Sequence, residues 1–254
     1  MKSRNPFVVI FKILLKLHLI MAGINLVFAY REERAEKADI ENGHIYRWKH
    51  GNIYYHKRGI GSPVLLVHGL EPGNSGRDLE TLSKALSTKH TVYTIDLLGF
   101  GFSDKPWITY TNYIYVLLIQ DFIKDVIKIH TDIIGFEESA LTVLQAHKDN
   151  DEKIGKVLVI NPAREEKYKV PKLVSLRLKK IIDFPLYGTF IYNMYSLTRT
   201  KPLNRDSRHV FASRLTGHLS TDITGHENLI GESVKVIETK DAAITYGDIN
   251  AALI

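Results

Sequence analysis

The sequence contains no cysteine. That excludes a disulfide framework, a thiol nucleophile and a thiolate-held metal. It leaves the compartment open, since a cysteine-free chain suits the cytosol and the outside equally well. Also missing are a phosphate-cradling G-x-x-x-x-G-K run, a dinucleotide G-x-G-x-x-G after a strand, zinc-finger spacing and the aromatic pattern of an RNA-recognition sheet. No metal or organic cofactor and no nucleic-acid partner is therefore expected. There is no low-complexity tract and no internal repeat. The 254 residues are 44% hydrophobic and 24% charged. This is the profile of one globular domain of ordinary size with a short appendage. The formal net charge is +6. Much of the basic excess sits beside apolar runs, which points to anionic lipid as the partner.

The appendage is N-terminal. Phe7 to Tyr30 reads FVVIFKILLKLHLIMAGINLVFAY, long enough for a membrane span, which needs about 20 apolar residues. Lys12, Lys16 and His18 interrupt it. A span beginning near Leu14 leaves Lys2, Arg4 and Lys12 as a basic flank. The positive-inside rule then puts the N-terminus in the cytoplasm and the domain outside. A single-pass anchor is the preferred reading. An interfacial helix on an anionic membrane and a cleaved signal peptide are the alternatives. A buried core helix is disfavoured, because the basic residues are spread through the segment. The division is an anchor over 1–30, a stalk over 31–43 and a domain over 44–254.

From His44 the periodicity changes. HIYRWKHG and NIYYHKRG alternate as two strands joined at Gly51, a hairpin pattern. PVLLVHGL (Pro63 to Leu70) is a short, continuously apolar run, as expected for a strand buried on both faces. Asp78 to Ser87 has helical spacing, and His90 to Gly99 is strand-like. Thr111 to Lys128 predicts a long helix, with Ile114, Leu118, Phe122 and Val126 as its stripe and Thr111 or Asn112 as its cap. Thr131 to Gly135 and Lys156 to Pro162 predict two further strands, and a helix is expected to open between them after Gly135. Strand alternating with helix on short connections implies a mostly parallel sheet covered on both faces, an α/β domain. Residues 163–225 break the alternation and read as an inserted helical cap, after which Glu232 to Glu238 restores a strand.

Three stretches carry a resemblance. His68-Gly69-Leu70 closes the third strand. The run Asp96 to Pro106, DLLGFGFSDKP, follows the fourth, with Asp96, Gly99, Gly101, Ser103 and Asp104 at spaced positions. Asp132 to Gly135 enters a turn before a helix. Together they resemble the α/β-hydrolase fold superfamily, from about Tyr46 to Asp241. The resemblance implies an oxyanion H-G-x turn at His68, a D-x-x-G-x-G-x-S-D-x-P loop, and a strand–nucleophile–helix elbow at Gly135. The N-terminal segment with INPAREEKYKVPKL and FPLYGTFIYN is similar to a membrane-anchored bacterial subgroup of these hydrolases.

Such an elbow should read G-x-S-x-G, with the serine on a strained turn at a helix N-terminus. Here it reads Gly135-Phe136-Glu137-Glu138-Ser139. Glu137 takes the nucleophile position and Ser139 the second glycine. A carboxylate can displace at a saturated carbon, as aspartate does in some members of this fold on carbon–halogen bonds and epoxides. It suits an ester carbonyl poorly, because the product is an anhydride. Glutamate also reaches about 1.5 Å beyond aspartate, and a misplacement of about 1 Å can cost ~100-fold. The resemblance places the acid at Asp241, with an exposed turn aspartate as the alternative, and the oxyanion donors at the backbone N–H groups of Leu70 and Glu138. The C-terminal histidine is not found: AAITYGDINAALI follows Asp241. His147, His209, His218 and His226 read as surface or cap residues, and His68 as a residue bonded within its own loop. The eighth strand is expected to be absent. The expectation is a hydrolase-fold protein with impaired or lost activity. The alternative is a working membrane-associated hydrolase of esters, epoxides or carbon–halogen bonds, with Glu137 as nucleophile and a small or lipid-like ligand.

Overall fold

The computed structural model describes residues 6–39, 43–149, 152–165, 172–197, 207–238, 249 and 251. Its centre is a seven-stranded sheet in the order β1-β2-β4-β3-β5-β6-β7. β1 (His44–Trp48) and β2 (Gly51–Arg58) form the expected hairpin, and β2 runs antiparallel to β4 (His90–Ile95). The remaining pairings are parallel and join β4, β3 (Ser62–Val67), β5 (Thr131–Phe136), β6 (Ile154–Ile160) and β7 (Val234–Ile237).

Alternation along the strands sorts the core into two layers. Leu65 and Val67 of β3, Tyr93 and Ile95 of β4 and Ile133 of β5 pack into one layer with α3 (Asn112–Phe122) and α4 (Ala140–Asp149). Their neighbours Val64, Leu66, Val92 and Ile134 point the other way, onto Leu82 and Leu86 of α2 (Glu80–Leu86), onto Leu79 just before it and onto Ile249. A continuously apolar strand is thus the direct consequence of helices on both faces.

α3 is capped by Thr111, whose Oγ1 accepts from Ile114 N at 3.3 Å. The helix widens into a π turn over Ile123–Ile127, and Lys128 stops it in the left-handed region at φ 71°. Among the described residues three cap helices lie between β6 and β7: α5 (Lys172–Asp183), α6 (Pro185–Leu197) and α7 (Arg208–Leu215). The N-terminal helix α1 covers Pro6–Asp39 and so runs on through 31–39, and it packs against α6. Its Phe7–Arg31 portion is long and apolar enough to cross a membrane, a test that a signal sequence also passes.

Candidate active site

Parallel strands deliver their C-terminal ends to one edge, and the candidate site forms there from the ends of β3, β4 and β5. After β5 the chain makes a 3-10 turn, Glu137–Ser139, and enters α4. Glu137 holds φ at +50°. For a residue with a Cβ this costs about 1–3 kcal/mol and persists only where the surroundings over-determine it. The sharp elbow is therefore built, with an exposed glutamate at its tip. Ser139 explains how it survives without the second glycine. Its hydroxyl is fully buried, accepts from Phe136 N at 3.1 Å, and turns its hydrogen toward Phe136 O (2.8 Å) and Val67 O (3.2 Å). The one serine hydroxyl in the elbow thus ties the turn to β3 and faces the backbone, not the cleft.

The turn after β3 faces this elbow. A Cβ on Gly69 would lie 2.7 Å from Glu138 Oε2, 2.8 Å from Asn74 Nδ2 and 3.0 Å from Glu137 Oε2. Three polar side-chain ends therefore converge on the bare side of Gly69. Glu138 is buried and its Oε2 has no hydrogen-bond partner. Burial, then the neighbouring Glu71 and Glu137 carboxylates, push its carboxyl up to about 7, while Arg214 and its own backbone N–H pull the other way. That N–H is one of the two expected oxyanion donors, and the Glu138 carboxylate competes for it.

Beneath the turn, Arg214 of α7 reaches across from the cap. Its Nη1 donates to Glu71 Oε1 at 3.0 Å and to Leu70 O at 3.1 Å, and both side chains are almost fully buried. The cap is thereby pinned to the oxyanion turn.

The motif residues make the following bonds. His68 is buried and neutral: its Nδ1–H donates to Gly69 O (2.7 Å) and its Nε2 accepts from Leu97 N (3.1 Å). Burial drives its pKa down, partly offset by Asp96. Asp96 accepts from Gly76 N (2.6 Å) and Phe102 N (2.7 Å). Ser103 donates to Asp96 O and accepts from Tyr54 N. Asp104 receives Asn52 N at 2.8 Å, and its carbonyl takes Gly99 N at 2.9 Å. At Gly101, φ is +46° and a Cβ would fall 2.0 Å from Asp96 Oδ2. The loop after β4 is locked onto β2 and the β3 turn by backbone-directed bonds.

No family model matches the sequence. A curated 2-hydroxy-6-oxo-6-(2'-aminophenyl)hexa-2,4-dienoic acid hydrolase from Metapseudomonas resinovorans is 36% identical over 74 residues. The match spans 28% of this chain and about a quarter (24%) of that protein's length. Solved structures match over far more of the chain. An α/β-hydrolase-fold protein from Burkholderia ambifaria superposes with TM-score 0.59 at 18% identity, covering 82% of this chain and 84% of that one. A serine hydrolase involved in carbazole degradation gives 0.56 at 21% identity, covering 78% and 80%. The chain has the α/β-hydrolase fold.

The sharp turn after β5, the turn after β3 and the glycine loop after β4 all lie at the C-terminal ends of these strands. Gly135 meets α4 closely, since a Cβ there would touch Val143 Cγ2 at 2.9 Å. Glu137 stands at the tip of the turn between β5 and α4. Asp241 lies outside the described residues. Among the described residues no histidine hydrogen-bonds Glu137 or Glu138: His147 Nε2 pairs with Ser233 Oγ, His209 with Asp183 and His218 with Thr216. The sequence reading missed Glu71, Asn74 and Arg214. A charged residue directly after the H-G-L turn is the only local signal, and its partner stands 143 positions away.

Proposed function

We propose that this is an α/β-hydrolase-fold protein in which serine-type ester hydrolysis is lost or greatly reduced, while the cleft is kept. Acyl transfer on this fold needs a hydroxyl at the elbow, a base to take its proton, and free N–H donors for the oxyanion. The observation that carries the reading is Glu137 at the elbow tip, with Ser139 spent on the backbone. Two features add to it. A carboxylate at the tip repels a developing oxyanion. The Glu138 carboxylate competes for its own backbone N–H. The hydrolase activities of the similar proteins are not carried over to this chain.

The test is turnover of p-nitrophenyl acetate and butyrate by the protein, with Glu137→Ser and Glu137→Gln beside it. Turnover no faster than the Glu137→Gln background is expected. Saturable turnover that depends on Glu137 overturns the reading.

One observation favours a second reading. Glu137 keeps the strained conformation that presents a nucleophile. On that reading the carboxylate attacks a saturated carbon, forms a C–O ester bond and expels halide, or opens an epoxide to an alkoxide that must take up a proton. Peptide mapping after exposure to an alkyl halide decides it: an alkyl ester on Glu137 supports this reading, and an unmodified Glu137 removes it.

A further inference from the structure

We propose that attachment to the bilayer is made by the cap as well as by α1: α1, α6 and α5 form one lipid-facing surface, and the outer face of α5 sits among anionic headgroups and acyl chains.

Two polar residues of α1, His18 and Asn25, have partners in the cap. Asn25 Nδ2 donates to Leu186 O at 3.1 Å, and Asn193 Nδ2 donates to Asn25 Oδ1 at 3.0 Å. His18 Nε2 accepts from the Tyr187 hydroxyl, while its Nδ1–H closes onto Leu14 O at 2.7 Å. His18, Met21, Ala22, Ile24, Asn25 and Phe28 are the partly covered residues, at helical spacing, so one stripe of α1 faces α6. Side-chain amides bridging two helices are the kind of contact that holds helices together in lipid. Away from that stripe Phe11, Leu15, Leu19 and Leu26 are exposed, with Lys12 and Lys16 exposed among them.

This pairing has a geometric consequence. The contact involves the middle of α1, at His18 and Asn25. Wherever that middle enters the membrane, α6 goes with it. α6 also packs against α5, so α5 is carried to the same level.

α5 has the surface for that position. Val174, Leu176, Leu178 and Ile181 are exposed, and Phe184 continues the patch just past the helix. Ser175 and Ile182 of the same helix are buried against the cap. Arg177 and Lys180 are exposed within the apolar face. An apolar face bearing cations with long stems is what an interfacial helix uses, the stems lying along acyl chains and the charges reaching phosphate. Charge and continuity with α1 therefore select a bilayer containing anionic lipid over water or a protein partner.

The cysteine-free sequence allows a direct test with the full chain. Single cysteines at Leu178, Ile181 and Leu17, and at Ile60 in the β2–β3 turn as a control, are labelled with an environment-sensitive NBD probe. The labelled chains are reconstituted into phosphatidylcholine–phosphatidylglycerol vesicles with and without brominated acyl chains. The labels at 178 and 181 are expected to shift to the blue and lose emission severalfold to bromine, as the label at 17 does, while the label at 60 stays solvent-like. Arg177→Glu with Lys180→Glu is expected to weaken quenching at 178 in anionic vesicles. Solvent-like emission at 178 and 181 beside a quenched label at 17 overturns the proposal, leaving α1 as the sole anchor. Blue-shifted labels on α5 that bromine does not quench also overturn it, because protein, such as a second copy of the chain, then covers the face.

Discussion

Arg214 Nη1 lies 3.0 Å from Glu71 Oε1, and this buried contact joins the cap to the turn that faces the elbow. Breaking a buried pair leaves one charge uncompensated and costs about 3–5 kcal/mol, whereas replacing both members often costs little. Arg214→Met is therefore expected to lower the thermal midpoint of the full chain sharply, and Arg214→Met with Glu71→Gln to recover a good part of the loss. Differential scanning fluorimetry checks the ordering. A double variant no more stable than Arg214→Met would contradict it.

Glu138 supplies a pH dependence. Its carboxyl titrates at about 7 in the folded protein against an ordinary 4.5, with burial as the main cause. The folded state thus holds a proton that the unfolded chain has already released. The associated stability is fully present below about pH 4.5 and is lost as pH rises to about 7, on the order of 3 kcal/mol in all. Denaturant midpoints from pH 4.5 to 8 are expected to fall, and Glu138→Gln to flatten the curve. A wild-type curve that rises over this range would count against the assignment.

The elbow's strain is measurable. Glu137→Gly removes the Cβ from a left-handed position and a like charge from beside Glu138, so a gain of about 1 kcal/mol is expected in urea unfolding. Loss of stability on this change would mean that the glutamate side chain makes a contact that outweighs its backbone cost.

The loop after β4 gives the opposite result. Gly101→Ala forces a Cβ into Asp96 Oδ2, 2.0 Å away, at φ +46°. A loss of more than about 2 kcal/mol is expected, and Ser139→Ala should lose about 1–2 kcal/mol from its buried backbone bonds. Circular dichroism melts report both. Neutral changes at both positions would show that these bonds do not hold the site.

The fold was legible because its signals are local. Apolar runs such as Pro63 to Leu70 report burial on both faces, and Gly99 and Gly101 mark a turn that no Cβ can enter. Glu137 was found the same way, from a strand, a turn and a helix in succession. What the sequence hid is long-range. The Arg214–Glu71 pair and the Asn25–Asn193 contact join residues 143 and 168 positions apart, and no periodicity connects them. The role of Ser139 was also hidden. A serine at a glycine position reads as small enough to be tolerated, and only the geometry turns it into the bond that holds the elbow to β3.

The central claim is that the elbow presents a carboxylate and that no serine hydroxyl in the cleft is activated. Intact-mass spectrometry of the full chain after incubation with an alkyl fluorophosphonate tests it most directly. The account predicts an unchanged mass under conditions that fully label a serine hydrolase run in parallel. A stoichiometric phosphonyl adduct mapping to any serine of the domain, Ser139 above all, would contradict it.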